Sequence, residues 1–225
     1  IIPGLYAYEA GQAAVGDLFS YSEQLAPKSI TDTALESDVP LLEYLEELAS
    51  NINVEDQHVI VLDWHNGNRS ILSDSHLTGS VFGLTLQTPF EMIHRAYLES
   101  TAFGTKMIMN QFEDHHIPVH TVYASGGIPK KSKLLVDIYA NVLNKKVVVL
   151  ESSNATALGA AMLGANVGGA YSTLKDAVEH MKQPIHYVKE PESEKVKAYK
   201  RLFDKYRQLH DILGREHPTL SYIHK

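Results

Sequence analysis

The sequence predicts an α/β protein, a layer of parallel strands flanked by helices. Three observations predict it. Short runs rich in β-branched residues, at 119–124 and Lys146–Leu150, alternate with stretches of helical period in the second half. Apolar residues make up 44% and charged residues 21% of the 225 positions, the balance of a folded chain and not of a disordered one. A chain of this length removes enough surface from water to support one sizeable core.

Taken in order, residues 1–17 read as Gly-rich and irregular. Residues 41–48 mix apolar and acidic side chains in helical fashion. Residues 58–64 read as a strand, and 81–86 as a second. Thr88-Pro89-Phe90-Glu91 then opens a long helix, with Thr88 as cap, Pro89 in the first helical position and Glu91 completing a capping box. Met92, Ile93, Ala96, Tyr97, Ala102, Phe103, Met107 and Ile108 cover a broad face, so this helix should be largely buried. Ile117-Pro118 ends it. Between the two strands of the second half, Leu134, Leu135, Ile138, Tyr139 and Val142 mark an amphipathic helix. Residues 154–165 form a helix of Ala, Gly and Leu, which makes sense where backbones pack closely. Two further helices finish the chain. In the last, Tyr199, Leu202, Phe203, Tyr206, Leu209 and Leu213 recur among many charges, the pattern of a strap on the outside of the domain.

Composition excludes several function classes. Lys plus Arg is 20 against 27 Asp plus Glu, a net charge of −7, which argues against a non-specific nucleic-acid binder. With no Cys there is no disulfide scaffold, no thiolate zinc site and no Cys nucleophile. The longest run of small apolar residues, 155–165, is too short to span a bilayer. The chain starts Ile1-Ile2-Pro3-Gly4 without Met, which reads as a piece of a longer or processed protein.

Four segments carry residues suited to chemistry. Ala124-Ser125-Gly126-Gly127-Ile128-Pro129-Lys130-Lys131-Ser132 sits between a strand end and a helix start, where open α/β sheets bind ligands and helix N-termini attract anions. The Gly pair lets backbone approach a ligand, and Lys130, Lys131 and Ser132 stand where a nucleotide would be faced. A plain strand-to-helix turn explains the same residues, and the segment is not a Walker A loop. The small-residue helix suits either a ligand cleft or ordinary core packing. Tyr8-Glu9-Ala10-Gly11-Gln12 offers a carboxylate and an amide beside Gly, suited to a polyol or to turn chemistry. Asp63-Trp64-His65-Asn66-Gly67-Asn68-Arg69 holds a turn and an Arg that would pair with phosphate or with a structural carboxylate. Asp114, His115, His116 and His120 resemble a metal cluster only superficially, because Pro118 breaks the helix that would align them.

In this order along nearly the whole chain, these segments resemble the C-terminal domain of the FGGY carbohydrate kinases. Residues 93–102 look like the family's long helix, Ser125-Gly126-Gly127 with Lys131-Ser132 like its adenosine-binding turn, and Ala155-Thr156-Ala157-Leu158-Gly159-Ala160-Ala161 like its late small-residue helix. Pro3-Gly4-Leu5-Tyr6, Tyr8-Glu9-Ala10-Gly11-Gln12, Leu62-Asp63-Trp64, Asn66-Gly67 and Gly83-Leu84-Thr85-Leu86-Gln87-Thr88 are most similar to the members that act on L-ribulose.

The resemblance implies an actin-like, ribonuclease-H-like ATPase fold, an α/β domain with a mixed sheet flanked by helices. Residues 1–225 would then be the ATP-side domain of a longer chain, facing an N-terminal domain across a cleft. It implies transfer of the γ-phosphoryl group of ATP, with Mg²⁺, to a ketopentose, L-ribulose becoming L-ribulose 5-phosphate in cytoplasmic arabinose breakdown. Another sugar or polyol such as xylulose or glycerol, or a non-catalytic nucleotide- or sugar-sensing module, stays open, as does a homo-oligomer. Glu9 is implied as a ketose contact, Gly126, Gly127, Lys131 and Ser132 as nucleotide contacts, and Gln87 and Glu91 as nucleotide neighbours at the head of the long helix. The family's catalytic Asp and first phosphate loop match positions upstream of Ile1. No catalytic residue or metal ligand is therefore expected here, and Asp17, Asp63 and Asp137 are not given the catalytic role.

Overall fold

The structure, a computed structural model, describes residues 2, 4–152 and 154–222. Pro3, the first residue of the Pro3–Tyr6 motif, lies outside the described residues.

Helix α4 (Phe90–Asp114) is the axis of the fold, and its stretch from His94 to Gly104 is buried on every face. An apolar residue at almost every second or third position makes a helix that must be surrounded. Around it stand α1 (Gly16–Gln24), α2 (Lys28–Glu36) and α3 (Leu41–Ser50), with a small antiparallel ribbon of β1 (Ile60–Leu62) and β2 (Ser80–Phe82). The second half forms a three-stranded sheet in the order β3 (Thr121–Ala124), β4 (Lys146–Leu150), β5 (Ile185–Lys189). β3 and β4 are parallel, joined through α5 (Gly127–Lys131) and α6 (Lys133–Leu143), whereas β5 runs antiparallel to β4. α7 (Ala155–Val167) and α8 (Leu174–Met181) lie between β4 and β5, and α9 (Ser193–Asp211) closes the core before a π turn at Ile212–Glu216.

A buried polar hub ties the helices to α4. Arg95 Nε donates to Glu99 Oε1 at 2.8 Å, and the two side chains are 3% and 1% exposed. Arg95 Nη1 donates to the Ala49 carbonyl in the last turn of α3 and to the Ile52 carbonyl just beyond it. Nη2 donates to Tyr199 Oη, and Tyr199 donates in turn to Glu99. Gln57 Nε2 supplies a further bond to Glu99 Oε2. A charge pair survives such burial only when its remaining polar atoms are paired as these are.

Several elements differ from the sequence expectation. Thr88 does not cap α4: Pro89 holds the cap position, and Thr88 Oγ1 accepts from Thr85 N at 2.9 Å, closing the preceding turn. The second strand stops at Phe82 because Gly83 turns with φ +86° tight against the His58 carbonyl. α4 stops at Asp114 through His116 in a left-handed conformation, with Ile117 N bonded to Phe112 O, before Pro118 is reached. Strand β5, with its exposed His186 and half-buried Lys189, and helices α1 and α2 were not legible as periodic patterns. α9 is a core helix and no outer strap: Tyr199, Leu202, Phe203 and Tyr206 are buried, and Phe103 meets the rings of Tyr199, Phe203 and Tyr206. α7 packs along α8, but none of its residues is buried, and a Cβ on Gly159 or Gly164 would touch nothing within 4 Å. Its small residues therefore do not serve close packing among the described residues.

Candidate functional site

The first half of the site is the corner after β3. The strand ends at Ala124, and Gly126 turns the chain with φ +104° and ψ −175°, a conformation open only to glycine. The special backbone is thus at Gly126, while Gly127 starts α5 in an ordinary conformation. Neither glycine has a neighbour within 4 Å of where a Cβ would stand, so the corner is open to an approaching molecule. A cavity of 430 Å³ lies against it, lined by Val122, Ala124, Gly126, Gly127, Ile128, Leu135, Val136, Tyr139 and Val147 among others. Lys131 is exposed at the end of α5. Ser132 is buried, and its Oγ accepts from Leu135 N at 3.0 Å, capping α6. Lys130 turns away from the corner to Glu151, whose carbonyl and carboxylate it reaches at 2.9 and 3.0 Å. His186 meets the other Glu151 oxygen at 2.6 Å. Lys130 first, and then His186, hold the Glu151 carboxyl below the usual carboxylate range.

The second half is the loop of residues 8–15. Glu9 is exposed and pairs with Arg69 at 3.0 Å, so Arg69 answers a carboxylate, one of the two roles its sequence setting allowed. Gly11 N donates to Ser70 Oγ at 2.8 Å, and the Gly11 position is bare enough for the Arg69 guanidinium to lie over it. A polar pocket of 310 Å³ adjoins, lined by Ala13, Asn66, Asn68, Arg69, Ser73 and Ser75. Below the loop, Gln12 reaches Asp63 Oδ2 at 2.9 Å and the Thr101 carbonyl at 2.9 Å. Asp63 Oδ1 accepts from Tyr206 at 2.6 Å. Burial pushes the Asp63 carboxyl up, and the bonds from Tyr206 and Gln12 hold that rise back.

The two halves meet. Val15 lines the same cavity as Gly126 and Gly127, and Gly16 abuts Ile128, whose Cδ1 would stand 3.4 Å from a Cβ there. Gln87 and Glu91 are not among the residues that line this cavity. Gln87 is exposed in the turn before α4, its backbone bonded to Thr85 Oγ1, and Glu91 is on the first turn of α4. Among the described residues no hydrogen bond joins either to the Gly126 corner. Gln12, whose amide the sequence offered to a polyol, turns inward to Asp63 and Thr101 instead; Ser70 and Tyr206, the supports that reading along the chain missed, have partners 59 and 143 positions away, a separation that leaves no local signal.

Among the described residues no group of three or more His, Cys, Asp or Glu side chains converges where an ion would sit. His115, at the end of α4, bonds the Gln111 carbonyl at 2.7 Å instead. These residues do not fit a divalent-cation cage of their own. No helix among the described residues is long and apolar enough to cross a membrane.

Comparison with known proteins bears on both halves. The model of the FGGY family of carbohydrate kinases, C-terminal domain, matches residues 1–167. The ribulokinase of Staphylococcus epidermidis (ATCC 12228) is 75% identical over 223 residues, which is 99% of this chain and 42% of the relative. The ribulokinase of Staphylococcus aureus (Mu3) is 57% identical over 214 residues, 95% of this chain and 39% of the relative. The chain therefore spans well under half the length of these relatives. Among solved structures, the xylulose kinase of Rhodospirillum rubrum superposes with a TM-score of 0.74 at 24% identity, covering 92% of this chain and 39% of that one. The glycerol kinase of Plasmodium falciparum, solved with ADP, gives 0.62 at 22% identity, covering 79% and 36%. At such identities the likeness is one of fold.

Proposed function

The chain belongs to the FGGY family of carbohydrate kinases, and from that premise we propose that the protein containing it phosphorylates a ketopentose with ATP, L-ribulose becoming L-ribulose 5-phosphate. The observation that carries the proposal is the junction of the two loops. Val15, at the end of the loop that carries Glu9, stands in the wall of the cavity at the Gly126 corner, which brings the loop suited to a polyol up to the corner suited to adenosine. A kinase of this kind works by holding donor and acceptor side by side and neutralising charge as the phosphoryl group passes. The choice of L-ribulose is supported by the 75% identity to proteins called ribulokinase.

In this reading, the bare backbone at Gly126 and Gly127 admits the nucleotide, and exposed Lys131 adds positive charge nearby. Ser132 is spent on the α6 cap and does not itself meet the nucleotide. Glu9 accepts hydroxyl hydrogens of the ketose, with the Arg69 guanidinium 3.0 Å from its carboxylate. Mg²⁺ would supply charge neutralisation, held by phosphate oxygens and by groups beyond this chain's own residues, since these do not form a cage. The base for the attacking hydroxyl is not assigned to any residue here.

The test uses the intact protein with ATP, Mg²⁺ and a panel of L-ribulose, xylulose, glycerol and other polyols, read by ADP release. Turnover is expected to be fastest on L-ribulose. Glu9→Ala should raise KM for the ketose and leave KM for ATP unchanged. No turnover on any pentulose would end the proposal; a preference for xylulose or glycerol would keep the fold and change the substrate.

A further inference from the structure

Glu9 stands in the open. Its partner Arg69 is also exposed, with side chains 84% and 64% accessible, and a pair so wet is screened too strongly to fix a loop. The loop is fixed three residues later. Gln12 turns inward, where Nε2 donates to Asp63 Oδ2 and to the Thr101 carbonyl, both at 2.9 Å. Its Oε1 accepts from the Thr105 hydroxyl at 3.0 Å, a hydroxyl that also lies 2.9 Å from the Thr101 carbonyl. Asp63 is held from its other side by Tyr206. The amide thus has a partner at each end, and each partner belongs to α4 or to the end of β1.

One residue makes this reach possible. A Cβ at Gly104 would stand 2.3 Å from Gln12 Nε2 and 2.7 Å from Asp63 Oδ2. Contacts so short do not occur, so any side chain at 104 expels the amide from its seat. Gly104 lies in the middle of a buried helix, where glycine is otherwise disfavoured against alanine. Its presence there is explained by the passage of Gln12.

We propose that Gln12 is a positioning residue for the sugar-binding loop, seated on Asp63, Thr101 and Thr105 through the gap at Gly104, and that this seat sets where the Glu9 carboxylate stands. Gln12 does not touch the sugar in this scheme. It acts by holding the backbone from which Glu9 projects. The inference rests on the reading of Glu9 as a ketose contact.

The experiment uses the intact protein and three variants: Gln12→Ala, Gly104→Ala and Gln12→Glu. Gln12→Ala and Gly104→Ala should each raise KM for L-ribulose roughly tenfold or more, since displacement by a fraction of the loop's width is costly to a positioned contact. KM for ATP and the affinity for ADP, measured by calorimetry, should stay within about twofold of the parent. Gln12→Glu sets a second carboxylate against Asp63. It should bind ketose weakly at neutral pH and recover as the pH is lowered and the pair comes to share a proton, a profile the parent lacks. Wild-type ketose KM in Gln12→Ala overturns the inference, as does an equal loss of ketose and nucleotide affinity. Should Gly104→Ala not fold, Gln12→Ala decides alone, because it adds no atom. Glu9→Ala separates the two ideas. If it leaves ketose KM unchanged, the reading of Glu9 fails; if it raises KM while Gln12→Ala does not, only the inference about Gln12 fails.

Discussion

Tyr206 donates to Asp63 across 143 positions of sequence, with 2.6 Å between the oxygens and both residues buried. The bond fastens α9 to the end of β1. It also consumes one of the two Asp63 oxygens, and Gln12 consumes the other.

Tyr206→Phe should therefore destabilise the fold by about 1–3 kcal/mol, the cost of leaving a buried acceptor unpaired. Asp63→Asn should also destabilise it, because an amide offers one acceptor where two donors arrive. Urea unfolding of each variant measures both. A Tyr206→Phe protein as stable as the parent would mean the Asp63 oxygen finds another donor.

Acid should weaken the protein through His94. This ring is fully buried, bonded through Nδ1 to Ser22 Oγ at 2.8 Å, and burial pushes its pKa down to about 4 from 6.5. Between these values the unfolded chain takes up a proton that the folded chain refuses. The stability is thus complete above about pH 6.5 and declines as the pH falls toward 4, by on the order of 3 kcal/mol. His94→Gln should flatten that part of a stability-against-pH curve. A slope unchanged by the substitution would assign the decline to other groups.

The Arg95–Glu99 hub predicts an asymmetry. Arg95→Met strands the Glu99 carboxylate in the core and leaves the Ile52 carbonyl without its donor, and should cost about 3–5 kcal/mol. Replacing the pair together, Arg95→Met with Glu99→Leu, should cost less than the single change. Thermal melting of the two proteins compares them directly.

At the corner after β3, stability and binding should separate. Ser132→Ala removes the α6 cap, which is worth about 1 kcal/mol, and should leave ADP affinity in the intact protein unaltered. Gly126→Val forces a side chain into φ +104° and into the open approach, and should lower ADP affinity by about tenfold. Calorimetric titration with ADP distinguishes them; equal effects would move the nucleotide elsewhere.

The parts legible in the sequence were those governed by neighbours along the chain. The valines of β4, the amphipathic period of α6 and the broad apolar face of α4 each announce themselves within a dozen residues. β5 does not, because in a five-residue edge strand Ile185 and Val188 are exposed and no apolar face is buried to set an alternation. The depth of α9 was hidden by its charges, which surround the stripe from Tyr199 to Tyr206 that reaches the core. The glycine corner was legible as a motif. The assignment of the special φ to Gly126 and not Gly127 was not, since either could have made the turn. The seat of Gln12 was out of reach altogether: its partners come from 51, 89 and 93 positions away.

Helix α7, built of Ala, Gly, Leu, Met and little else, turns to water the side not packed on α8, with Leu163 and Val167 more than half accessible. A rod of that character prefers resin, detergent and plastic to buffer. Purified at these boundaries, the polypeptide should cling to phenyl media, brighten a solvatochromic dye and cloud on concentration, however well its α4 centre is folded.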